Sequence, residues 1–217
     1  MRTLAATHPH SSLAALNLGV TLYWSRQDAA ALVAWRAAAR LQPDTYYAVH
    51  AADLLHPRFV PRLPVFVPSF PEPRGLGGLS PPQQLALLRR RAAAGGAHAK
   101  ILYGVALQRL EHPVSAERQF AAAARLAPND PEARVAAAVG RFDKANPSAA
   151  FARLGPLTRV FPQAATVRFH LGLLLFWIGQ VEAGKSELRR AAAEDPGSIL
   201  AREGNSLLRR LQGVGTH

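Results

Sequence analysis

Residues 165–198 read ATVRFHLGLLLFWIGQVEAGKSELRRAAAEDPGS: an apolar first half, a Gly-bearing junction, and an Ala-rich helical stretch closed by Pro196. Pro128 and Pro162 close similar stretches, and the steps from 128 to 162 and from 162 to 196 are both 34 residues. Pro43 closes a fourth. Frames set by these prolines are 12–45, 97–130, 131–164 and 165–198, and they align column by column. The seventh and eighth columns hold Leu18-Gly19, Tyr103-Gly104, Ala137-Ala138 and Leu171-Gly172; the eleventh holds Leu22, Leu107, Arg141 and Leu175. The twentieth is small throughout (Ala31, Ala116, Ala150, Gly184), and the twenty-fourth is large and apolar (Trp35, Phe120, Leu154, Leu188).

A glycine inside a helix costs about 1 kcal/mol relative to alanine, so its return at one column requires a packing gain. A bare eighth column facing a small twentieth lets two antiparallel helices approach closely. The large twenty-fourth residue is then expected to fill the gap toward the next hairpin, and the final proline ends the second helix because it drives the preceding residue out of the α region. These columns resemble the tetratricopeptide repeat, which has Leu-Gly, a small residue, aromatics and a closing proline at this period. Frames 12–45, 97–130 and 165–198 follow the pattern. Frame 131–164 departs from it at Ala138 and Arg141 and is held by its period, Ala150 and Pro162. The resemblance implies an all-α fold, a right-handed solenoid of antiparallel helix pairs, with residues 1–217 as one domain.

The interval 46–96 is 51 residues, one period of 34 plus 17, which predicts a further repeat carrying an insertion. Tyr46 to Leu55 reads as its first helix. Pro82 to Ala94 reads as the second, with Ser80 as cap, proline at its start and Gly95-Gly96 at its end. Between them, near 57–81, Pro57, Pro61, Pro64, Pro68, Pro71 and Pro73 forbid helix, while Phe59, Val65, Phe66 and Phe70 are costly to leave in water at about 25 cal/mol per Å². The segment is therefore expected to dock on something. Residues 198–212 read as a helix that caps the array, with Arg202, Glu203, Arg209 and Arg210 toward water. The first repeat begins soon after Met1 with no such cap in the sequence.

In an array of this family the first helices line a concave face through columns five, nine and twelve. The resemblance thus implies a groove of Leu16, Ile101, Val135 and Phe169, then Val20, Val105, Val139 and Leu173, then Tyr23, Gln108, Phe142 and Phe176. It is apolar. Asn17, Arg109 and His170 are the polar groups near it, too few cations for the carboxylate clamp with which some members grip chaperone tails. Two occupants fit such a groove. One is the chain's own insertion; the other is a segment of another protein. The expected function is a protein-interaction scaffold whose groove binds a partner segment and is open to occlusion by the insertion.

The composition leaves one alternative. A net charge of +12 with 26 Lys and Arg could serve nucleic acid or another acidic surface, although the arginines are dispersed and only Arg89-Arg90-Arg91 forms a run. There is no cysteine, which excludes disulfides, thiolate metal sites and a cysteine nucleophile. No convergent acid, base and nucleophile are apparent, so no enzyme, cofactor or metal site is expected; His8-x-His10 is a pair too isolated to hold an ion. The longest apolar run, Leu171 to Ile178, is too short to span a bilayer, and the N-terminus lacks the continuous apolar core of a signal peptide. The chain reads as soluble and cytoplasmic, with a protein or peptide partner.

Overall fold

The computed structural model describes residues 1–213, with side chains as far as Leu211; among these the regular structure is helical, with no strand. The chain forms two compact units. The first comprises Met1–Leu63 and Leu107–Ser115, the second Pro64–Ala106 and the chain from Ala116 onward.

In the first unit, α1 (Arg2–Thr7) packs on α2 (Ser12–Trp24), which pairs with α3 (Asp28–Leu41), and α4 (Tyr46–Leu55) packs on both. Ser11 caps α2 by accepting from the Ala14 N–H, and Thr45 caps α4 by accepting from Ala48. The hairpin is tied at its open end. The buried Ser12 hydroxyl donates to the Ala38 carbonyl at 2.8 Å and accepts from the Gln42 N–H at 2.9 Å. Its core is Leu16, Leu22, Ala31, Ala34, Trp35, Ala38 and Ala51. The segment Leu107–Ser115 is fastened to the α3–α4 turn: Asp44 accepts from the Ser115 N–H at 2.9 Å and from its hydroxyl at 2.6 Å. At the N-terminal end, Arg2 donates to Gln27 at 2.6 Å, yet α1 buries none of its own residues.

The second unit holds α5 (Pro81–Ala94), α6 (Ala97–Arg109) as far as Ala106, and α7 (Pro113–Leu126) from Ala116. It continues through α8 (Pro131–Val139), α9 (Ser148–Leu154), α10 (Leu157–Val160), α11 (Ala165–Trp177), α12 (Val181–Glu194) and α13 (Ile199–Gly213). Helices α11 and α12 pack closely. Gly172 and Gly184 leave so little room that a Cβ on either would stand 3.0 Å from the other's carbonyl oxygen, and Arg168 on α11 pairs with Glu187 of α12 at 3.2 Å. Helix α13 packs on both, burying Leu200 and Ala201 and bringing Leu207 and Leu208 against Phe169 and Leu188.

Two details depart from the expected packing. The twenty-fourth-column residue covers the glycine of its own hairpin as well as reaching onward: Trp35 lies over Gly19 and Leu188 over Gly172, while Phe120 lies over both Gly104 and Gly140. The ring takes the volume that the missing Cβ vacates. The irregular frame, 131–164, has a short first helix and a second one split into α9 and α10. Gly155 and Pro156 keep helical torsions (φ −54°, ψ −50° and φ −58°, ψ −26°), but Pro156 has no N–H, so the hydrogen-bond ladder breaks there.

Candidate functional site

Within the second unit the stretch from Pro64 to Phe70 takes up neither helix nor strand. Pro64, Pro68 and Pro71 hold the residues ahead of them out of the helical region. The stretch is seated on side chains from the first helices α6, α8 and α11, together with Phe120 of α7 and residues of α12 and α13. Phe66 is fully buried, its ring parallel to that of His170 at 4.4 Å between centroids and tilted against Phe120 at 6.0 Å. Val67 packs against the cluster of Phe169, Leu188, Ala191 and Leu200. Phe70 stacks on His98 at 4.0 Å.

Polar groups fix the main chain. The Val67 N–H donates to His170 Nε2 at 2.9 Å, and the ring's other nitrogen, Nδ1, lies 2.7 Å from the Thr166 carbonyl. Only the neutral imidazole with its proton on Nδ1 satisfies both contacts, since Nε2 must accept and Nδ1 must donate. Burial agrees with this, pushing the His170 pKa down to about 4. Two residues further on, the Ser69 N–H donates to Glu132 Oε2 at 3.3 Å, and the hydroxyls of Ser69 and Thr166 also bond this carboxylate. Glu132 sits in the first turn of α8, where Asp130 caps the helix by accepting from the Glu132 N–H at 2.9 Å. Burial raises the Glu132 pKa against the lowering effect of those hydrogen bonds. Asp130 also meets His98 Nε2 at 3.1 Å. One connected network thus joins three helices to the segment.

The implied groove residues are distributed unevenly. In the second unit Ile101, Val105, Val135, Val139, Phe142 and Phe169 are buried, as is His170, while Leu173 and Phe176 are half-buried against the Phe169 cluster. In the first unit Leu16 is buried, Val20 is half-buried, and Asn17 turns back to donate to the Leu13 carbonyl. Tyr23 and Trp24 are 54% and 79% exposed, and Arg109 is exposed too. Of the insertion residues, Phe59 is buried in the first unit, Val65 and Phe70 are half-buried in the second, and Phe66 is the deepest.

The polar residues that hold the segment lie largely outside columns five, nine and twelve. His98, Glu132 and Thr166 occupy the second column of three successive frames, one turn before the apolar lining. Three polar residues recurring at one column was the available signal.

A second polar cluster lies in the first unit. The Ser115 hydroxyl donates to the Asp44 carboxylate at 2.6 Å, and His112 Nδ1 meets the Asp44 main-chain carbonyl at 2.8 Å, so the imidazole is directed at that carbonyl rather than at the hydroxyl. Among the described residues no group of three or more His, Asp or Glu could hold a metal ion, and no helix is long and apolar enough to cross a membrane.

No family model matches the sequence, and no curated protein matches it. Among solved structures the chain is similar to YrrB, described as a TPR protein with an unusual peptide-binding site. The two are 16% identical, the alignment covers 94% of this chain and 97% of that one, and the TM-score is 0.43.

Proposed function

We propose that this chain is a non-catalytic, tetratricopeptide-like binding scaffold with repeat frames 12–45, 46–96, 97–130, 131–164 and 165–198. Its first helices take an apolar segment of a protein partner, and in the second unit the chain's own insertion holds that place until a partner displaces it. The observation that carries this reading is the manner in which residues 66–70 are held. Main-chain N–H groups donate to His170 and Glu132, and two aromatic rings stack on imidazoles, which is how a peptide ligand is gripped by a receptor. A tethered segment competes at an effective concentration of order millimolar, so the intact chain should admit only ligands that outmatch it.

The test is fluorescence polarisation with a labelled peptide of residues 63–71, titrated with the native chain and with a Phe66→Ser, Phe70→Ser double variant. The variant should bind at least about tenfold more tightly. Equal affinity, or no binding by a folded variant, would remove self-occlusion from the account.

The alternative ligand, an acidic surface, draws its support from Arg89, Arg90 and Arg91, all exposed on α5. A steep loss of polyanion binding with added salt would favour it; no binding at low salt would end it.

A further inference from the structure

Residues 67 to 69 show an alternation that bears on what the site can accept. Val67 and Ser69 each place an N–H on an acceptor from the helices, and the residue between them is Pro68, which has no N–H to place. The aromatic rings at 66 and 70 bracket this unit, one buried against His170 and Phe120, the other stacked on His98. We infer that the site recognises a specific class of ligand, an extended segment with aromatic residues at its first and fifth positions and a central position that admits proline, reading its register from the two N–H groups that flank that central residue. The inference rests on the binding reading proposed above.

Each element of the pattern has a cause. An acceptor buried beside the ligand stays satisfied only if an N–H reaches it, so His170 and Glu132 penalise any peptide that lacks a donor at either flanking position. Between them a proline is admitted without loss, and it stiffens the segment in advance of binding. The first aromatic enters a closed site and is the more stringent of the two. The second lies on the ring of His98, a residue whose side chain is 56% exposed, and tolerates more variation. The Ser69 hydroxyl bonds Glu132, so serine or threonine fits the second flanking position, whereas a phosphorylated or acidic residue meets a carboxylate there.

The experiment uses the Phe66→Ser, Phe70→Ser chain and a series built on the labelled 63–71 peptide. N-methylation at Val67 or at Ser69 should each weaken binding on the order of tenfold, because each removes one donor to a buried acceptor. Replacing Pro68 by Ala should change affinity by less than about threefold, and a phosphoserine at 69 should abolish binding. Insertion of a glycine between Pro68 and Ser69 should cost as much as N-methylation. If the parent peptide binds but both N-methylated forms bind equally well, the inference fails while the scaffold reading stands. If a folded double variant binds none of the peptides up to millimolar concentration, the scaffold reading itself fails. Should the double variant not fold, the native chain supplies the test: Ser69→Pro should lower Tm by several degrees while Pro68→Ala leaves it within about 2 °C. Equal shifts would overturn the register.

Discussion

The indole of Trp35 lies over Gly19 in the volume a Cβ would occupy, and its buried Nε1 finds no hydrogen-bond acceptor among the described residues. Sterics and polarity pull in opposite directions at this contact. Gly19→Ala should destabilise the first unit by about 1–3 kcal/mol, because the ring is buried in the core and packed against Tyr23 at 5.8 Å, so it cannot retreat freely. Trp35→Phe should be nearly neutral, since the volume lost is offset by removal of an unsatisfied donor whose burial costs about 1–3 kcal/mol. Trp35→Ala should cost about 3–5 kcal/mol. Urea midpoints of the three variants decide this; a Trp35→Phe loss as large as that of the alanine variant would mean that the indole has a partner.

Phe66 is fully buried among aromatic rings, so Phe66→Ser removes a large ring and sets a hydroxyl in its place. A loss of about 3–5 kcal/mol is expected if the segment stays docked, and less if it lifts away. Hydrophobic-dye fluorescence separates these outcomes. Lifting exposes the faces of Phe120, His170 and Phe169 that Phe66 and Val67 cover, and raises dye binding in a chain that keeps its helical circular dichroism.

His170 gives a pH dependence of definite sign. Its folded pKa is about 4 and its unfolded value about 6.5, so the folded protein binds fewer protons across that interval. Stability is then fully present above about pH 6.5 and is lost as pH falls toward 4, by on the order of 3 kcal/mol. Glu132 acts the other way: its raised pKa lets the folded protein take up a proton first, which offsets part of the loss. Urea unfolding from pH 7.5 to 4.5 should show falling midpoints, with a steeper fall in Glu132→Gln. A flat profile in both would contradict the neutral, Nδ1-protonated imidazole.

Pro156→Ala should restore the missing hydrogen bond and join α9 to α10. Because Gly155 and Pro156 already have helical torsions, little rearrangement is needed, and stability should rise by on the order of 1–3 kcal/mol. Differential scanning calorimetry reads the gain in Tm. An unchanged or lower Tm would show that the break relieves strain elsewhere in the frame.

The helical hairpins are legible in the sequence because their signals are local and repeated. A glycine at the eighth column and a bulky residue at the twenty-fourth report a contact within one hairpin, and the prolines report where helices stop. Legibility falls with distance along the chain. That Phe66 must be buried follows from its apolarity alone, but its partner His170 is 104 positions away, and the choice depends on how three helices align their second columns. Apolar columns draw the eye to lining residues, whereas His98, Glu132 and Thr166, which hold the main chain, look like ordinary solvated positions. Frame 131–164 shows a different limit. A shared period carries it as one more hairpin, yet Gly155-Pro156 inside its second half is the local signal that the ladder breaks.

The prolines of the insertion have a consequence for the protein when the segment is not docked. From Pro57 to Pro73 no more than three consecutive residues lack a proline, including Val65-Phe66-Val67, the most β-prone of them. A cross-β stack needs roughly six or seven residues able to donate along both edges, and every proline here removes one such donor. On the proposed reading, a chain that released this apolar segment would expose a surface that a matched receptor can capture and that its prolines make a poor template for aggregation.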